Sequence, residues 1–214
     1  MLTLTLVRHG QTTFNAEGRL QGYCDSPLTA AGLVDVRATA AHLAEHDFSA
    51  AYVSPSGRAR STAAELLVPH PTVRPFVDSR LREFGFGVFE AQPEVDLYSR
   101  HDPDVMFPAV LDGTFPGLPA GETGRAFLAR VRAVFARIER RHRDGHVLVV
   151  SHGLTLRAYL TAIDAVPMPP LGNASVSVVE VDGDHRRVVA RGHSPRGLTT
   201  ASMAGAPRTT VAAV

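Results

Sequence analysis

The chain predicts an α/β fold: a three-layer α/β/α sandwich around a mostly parallel central sheet, with an irregular cap inserted into it. Three observations carry that prediction. "LTLTLV" (2–7), "AAYVS" (50–54) and "HVLVVS" (146–151) are short apolar or β-branched runs, the pattern of strands buried on both faces. Each gives way at once to polar or glycine-containing sequence. Helical patterns separate the three, and such alternation argues for a parallel sheet.

Taken in order, residues 29–46 form the first long helical pattern, with Leu33, Val36, Ala40 and Leu43 on one stripe and Thr29 as N-cap. Residues 84–120, from "FGFGVFE" to "FPGLPAG", are rich in glycine, proline and aromatics and hold no clear long helix. Residues 122–144 place Phe127, Val131, Val134 and Ile138 at helical spacing and stop before Gly145. "SVSVVEV", "DGDH" and "RRVVARG" read as a hairpin with an Asp-Gly turn. Residues 1–194 therefore read as one domain with a cap insertion at about 84–120, and 195–214 as a flexible small-residue tail.

Composition excludes several function classes. All 22 basic residues are arginine, so neither a Schiff-base lysine nor a P-loop lysine exists. A net charge of +1 gives no reason to expect nucleic-acid binding. The dense run "ARIERRHRD" (136–144) ends a helical pattern, where cations suit the helix dipole and a solvated face. No apolar run is long enough to span a bilayer, and Arg8-His9 interrupts any leader-like start. Cys24 is the single cysteine, so no internal disulfide can form and a reducing cytoplasm is the expected compartment.

In an open α/β sheet, ligands bind outside the carboxyl ends of the strands. All three strand runs deliver cations or imidazoles there: Arg8 and His9, then Arg58, then His152. A lone Arg-His pair at a strand end can be simple surface polarity. Two arginines and two histidines at one edge make a positive site that an anion would compensate, and arginine's fork of donors matches phosphate oxygens. His9-Gly10 and His152-Gly153 repeat one arrangement, with glycine permitting close backbone approach.

These stretches resemble the histidine phosphatase superfamily, the phosphoglycerate-mutase-like group. "RHGQTTFN", "GRLQGYCDSPLTAAG", "SPSGRARSTA", "RLREFGFG", "PAGET" and "VVSHGLTLRA" match its motifs in order, over residues 2 to about 182. The resemblance implies that His9 is a nucleophile forming a phosphohistidine, with Arg8, Arg58 and His152 stabilising the phosphoryl oxygens. It implies that Glu83 is general acid and then general base; taken alone, "RLRE" reads as a salt bridge to Arg80 or Arg82. Asn15, Gln21, Gly22, Gly153 and Leu154 match substrate-binding positions. No cofactor and no metal are expected. The expected partner is a small-molecule phosphate ester, not a nucleic acid or a membrane, and a homodimer is left open. His42 and His46 have an acceptable ligand spacing, but no HExxH or cysteine pair supports them and they read as a polar helix face.

Phosphatase, mutase and non-enzymatic phosphate binder are the three functional alternatives. A mutase must hold a second phosphate, so its cap should add cations. Residues 84–120 contain Arg100 as their only arginine, against Glu90, Glu94, Asp96, Asp102, Asp104 and Asp112. Phe84 stands where the resembling mutases carry an arginine. This favours a phosphatase acting on a small monophosphate, a sugar phosphate or a phosphoglycerate-type ester. A mere binder would be expected to have lost one of Arg8, His9, Arg58, Glu83 and His152, and none is lost. Two departures from the family pattern, Ala91 and Ala120, fall where glycine is usual.

Overall fold

The computed structural model describes residues 1–164, 166 and 168–194. The tail expected at 195–214 lies outside the described residues. Among the described residues, six strands form one sheet: β1 (Leu2–Arg8), β2 (Ala50–Val53), β3 (Pro75–Val77), β4 (Gly145–Ser151), β5 (Val176–Asp182) and β6 (His185–His193). Their order is β3-β2-β4-β1-β5-β6. The first four in that order are parallel, and β5 joins β1 antiparallel, so the sheet is mostly parallel. The hairpin expected near the end is β5–β6, turning through Gly183 at φ +59°.

Helices cover both faces. On one side lie α2 (Ala30–Leu43) and α3 (Gly57–Leu66), whose Val36, Ala40, Leu43, Ala63 and Leu66 pack on Val53, Leu148 and Val150. On the other lie α6 (Gly124–Arg141) and α7 (Gly153–Ile163), with Phe127, Val131, Val134 and Leu156 against Leu4, Leu6, Val147 and Val149. Successive residues of β4 thus serve opposite layers, as the pleat requires, which is why these strands read as continuous apolar runs. Thr29 caps α2 as expected, its hydroxyl accepting from the Gly32 N–H at 2.9 Å. The apolar stripe of α6 is buried throughout.

Register positions the site. β1 and β4 pair from Leu2 opposite Gly145 to Arg8 opposite Ser151, and β2 pairs Val53 with Val150. The residues that follow, His9, Ser54 and His152, therefore emerge side by side at one edge.

Three features differ from expectation. The cap is more regular than its composition suggests: besides α4 (Glu94–Tyr98) it contains the ten-residue α5 (Pro103–Asp112). Asp102 caps α5, Pro103 opens it and Gly113 at φ +87° ends it, all readable stop and start signals obscured by Pro108 inside. A short α1 (Thr13–Ala16) follows the Arg-His-Gly turn, closed by a capping box between Thr12 and Asn15. Last, α2 ends at Leu43, so His46 lies beyond it, stacked on Phe48 and beside the His146 ring rather than on a polar helix face.

Candidate active site

A cavity of about 320 Å³ opens at the carboxyl edge of the sheet. Arg8, His9, Asn15, Gln21, Glu83, Gly153 and Leu154 are among the residues that line it. Arg58 and His152 do not line it; both are fully buried against His9. Gly22 is also outside the lining.

His9 is held in one tautomer. Its Nδ1 lies 2.8 Å from the Gly10 carbonyl, which can only accept, so Nδ1 carries the proton. Nε2 is left without a proton, and its lone pair accepts from Arg58 Nε at 3.3 Å. Burial first, then the Arg58 and Arg8 charges, hold this imidazole well below its ordinary pKa, so it is neutral at pH 7. The Gly10 backbone is fixed in turn by Thr62, whose hydroxyl accepts its N–H at 3.0 Å.

Arg58 reaches the site from the first turn of α3. It donates to the carbonyls of Gln21, Gly22 and Cys24 and pairs with Asp25 at 3.0 Å. The His152 ring meets His9 edge-on, with centroids 5.2 Å apart. Its Nε2 touches Ser54 Oγ at 2.7 Å and Ser56 Oγ at 3.1 Å. Burial, then Arg58, His9 and Arg8, lower its pKa well below normal. Among the described residues, His152 Nδ1 and Arg8 Nε are buried here without a partner, as is Nε of the cavity-lining Arg157. Arg8 otherwise donates to the Leu171 carbonyl.

Glu83 sits at the N-terminus of α7. Its Oε1 accepts from the N–H groups of Phe84 (2.9 Å) and Thr155 (3.1 Å) and from the Thr155 hydroxyl (3.1 Å); Oε2 accepts from Leu154 N–H alone, at 2.9 Å. The salt bridge expected of an isolated "RLRE" does not form: Arg80 pairs with Asp78, and the Arg82 guanidinium lies over the Tyr23 ring. A methyl on Gly153 would stand at ordinary contact distance, 3.6 Å from Arg8 Nε and 3.7 Å from Glu83 Oε2, so close approach of these groups does not require glycine there.

The expected backbone contacts are partly spent. The Leu154 N–H is taken by Glu83 and the Gly22 N–H by Glu90, so neither amide is free for a ligand in this arrangement. Gln21 bridges Thr12 and Ser26 through its side chain. The Asn15 oxygen accepts from Thr12 N–H and Asn173 Nδ2, leaving its amide hydrogens for the cavity.

Sequence reasoning missed several contributors. Arg19 and Arg157 line the outer cavity with Leu20, Phe86, Glu94, Tyr98, Phe107, Pro170 and Leu171. Asn173 donates to the His9 carbonyl at 3.2 Å. Arg157 follows His152 by little more than one helical turn, which was a usable signal; Asn173, 164 positions from His9, offered none. Among the described residues, no three His, Cys, Asp or Glu side chains come together as a metal site.

The chain matches the family model of the histidine phosphatase superfamily (branch 1) over residues 4–193. It belongs to that superfamily. Within it, the chain is 30% identical over 194 residues to a putative phosphoserine phosphatase 2 of Hydrogenobacter thermophilus, covering 88% of this chain and 94% of the relative. It is 34% identical over 168 residues to a probable phosphoglycerate mutase GpmB of Escherichia coli, covering 78% and 77%. Among solved structures, Bacillus stearothermophilus YhfR superposes with a TM-score of 0.80 at 31% identity, over 90% of this chain and 98% of that one. Histidine phosphatase relatives thus include both phosphatases and mutases by name. Among the described residues, no helix is long and apolar enough to cross a membrane.

Proposed function

We propose that the protein is a cytoplasmic phosphomonoesterase that hydrolyses a small phosphorylated metabolite through a phosphohistidine, without metal or cofactor. One observation carries the reading: the neutral His9 holds its proton on Nδ1 and leaves Nε2 unprotonated, and in the same site Arg8 Nε and His152 Nδ1 are buried with no partner among the described residues. A buried polar group without a partner costs about 1–3 kcal/mol, and phosphoryl oxygens would satisfy both. His9 Nε2 attacks phosphorus, the N–P bond forms and the bond from phosphorus to the ester oxygen breaks. Glu83 gives its proton to the leaving alkoxide. It then takes one from the water that cleaves the N–P bond, releasing phosphate and restoring His9. Oε2, with its single donor, keeps the lone pair that proton transfer needs. Arg8, Arg58 and His152 stabilise the charge spread over the phosphoryl oxygens.

Hydrolysis is favoured over mutase transfer by the cap. Its lining residues are Phe86, Glu94, Tyr98 and Phe107, none cationic, and Arg100 lies over the Phe89 ring; the outer cavity's arginines, Arg19 and Arg157, come from outside the cap. The cavity is at the small end of ligand sites, so the leaving group is a small, partly apolar one. A phosphate-release screen over monophosphorylated metabolites, with a phosphoglycerate mutase assay alongside, tests this. Release should vanish in His9→Ala. Release persisting there would reject the mechanism, and efficient phosphoglycerate isomerisation would reverse the preference for water as acceptor.

A further inference from the structure

Resting on the phosphohistidine reading, we propose that Ser54 and Ser56 are positioning residues: they place the His152 proton on Nδ1, so that this ring meets the phosphoryl group as a donor. Ser54 is fully buried at the end of β2, and its Oγ lies 2.7 Å from His152 Nε2 and 2.9 Å from Ser56 Oγ. Ser56 Oγ is 3.1 Å from the same ring nitrogen, and its side chain is half-buried.

The two active-site imidazoles are held by opposite means. A carbonyl at His9 Nδ1 can only accept, which fixes N–H there and leaves Nε2 bare. His152 Nε2 meets hydroxyls, which can give or take a proton. In one arrangement Ser56 O–H donates to Ser54 Oγ and Ser54 O–H donates to Nε2, leaving N–H on Nδ1. In the reverse arrangement Nε2–H donates outward through the serines and a bare Nδ1 lone pair confronts the anion. Nδ1 is buried and has no partner among the described residues; an oxygen of a phosphoryl group on His9, whose ring meets His152 edge-on with centroids 5.2 Å apart, would supply one. Burial, Arg58, His9 and Arg8 all disfavour a charged ring, which leaves a single proton whose location the serines decide. The same tautomer thus serves opposite tasks: His9 attacks through its unprotonated Nε2 and His152 donates through its Nδ1–H.

The test uses the full chain with ¹⁵N-labelled imidazoles, saturated with inorganic phosphate. Two-bond ¹H–¹⁵N spectra should show His152 with N–H at Nδ1 and a bare Nε2. Ser54→Ala should lower that population and weaken inhibition by inorganic phosphate about tenfold, the effect of one hydrogen bond. It should also lower kcat on an aryl phosphate. Ser54→Thr should restore all three, and Ser56→Ala should shift them in the same direction to a smaller extent. An Nε2–H tautomer with phosphate bound overturns the proposal, as does a folded Ser54→Ala protein with wild-type tautomer and phosphate affinity. If Ser54→Ala does not fold, the wild-type spectrum and Ser56→Ala decide it. Tautomer and phosphate affinity are read without turnover, so a failure here is distinct from a failure of the hydrolytic reading, which His9→Ala tests.

Discussion

Every N–H of Arg58 has a protein partner: Nε reaches His9, Nη1 the Cys24 carbonyl and Asp25, and Nη2 the carbonyls of Gln21 and Gly22. A side chain so bound holds the loop of residues 21–25 as much as it offers charge to a ligand. Its longest contact, 3.3 Å to His9 Nε2, is the one that a phosphoryl group on that nitrogen would redirect. Strain is also legible residue by residue. Ala91 and Ala120, which stand where the family pattern has glycine, adopt φ of +61° and +56°. A left-handed L-residue costs about 1–2 kcal/mol, and glycine returns about 0.4–1 kcal/mol of that as unfolded-chain entropy. Ala91→Gly and Ala120→Gly should therefore each raise stability by about 0.5–1 kcal/mol, read from urea unfolding midpoints. Unchanged or lower midpoints would mean that the methyl groups are worth more in packing than the strain costs.

At the scale of elements, Glu90 joins the cap to the loop that holds Arg58. Its Oε1 accepts from Tyr23 and Phe86 N–H and its Oε2 from Gly22 and Cys24 N–H, at 2.9–3.1 Å. Burial alone would raise its pKa; bonds from Cys24, Tyr23 and Phe86 outweigh that and lower it below the ordinary value. A depressed carboxyl stabilises above its unfolded pKa, and that contribution is lost as pH falls through the lower folded value. Glu90→Gln keeps one acceptor oxygen and should cost about 1.5–3 kcal/mol at pH 7. It should also lower kcat, because the carbonyls around Arg58 loosen. The stability gap between variant and wild type should close in unfolding series run from pH 6 down to pH 3; a constant gap would mean that the loss is steric. The sequence singled out this segment by its departures from the family pattern, yet not Glu90, because its donors lie up to 68 positions away. Helix α5 was hidden by Pro108 although its caps were readable, whereas α2 and α6 showed themselves through long amphipathic stripes.

Across the whole molecule, both ends of the sheet hold histidines whose pKa burial lowers, His9 and His152 at one end and His46 and His146 at the other. At the end opposite the active site, Phe48 is surrounded by His46, His70 and His146, with His42 next to His46. His146, bonded to Thr5 Oγ1 at 2.7 Å, is pushed down to about 4 by burial, then by His46 and His70, with Asp47 opposing. His46 is lowered by burial, then by His42 and His70. An unfolded histidine takes its proton near pH 6.5, so below that the unfolded chain binds more protons and stability falls until about pH 4. Thermal midpoints should drop between pH 7 and pH 5, and less steeply in His146→Gln. Equal slopes would place the acid sensitivity elsewhere. By itself the sequence determined the alternation of strands and helices and the residues at the three strand ends, because periodicity and motif are local properties of a chain. Tertiary structure alone decided that β1, β2 and β4 finish in register, that Arg19 and Arg157 join the cavity, and that the Gly22 and Leu154 amides are already bound. Those outcomes depend on pairing between distant segments, where a donor's partner is set by packing and no local pattern records it.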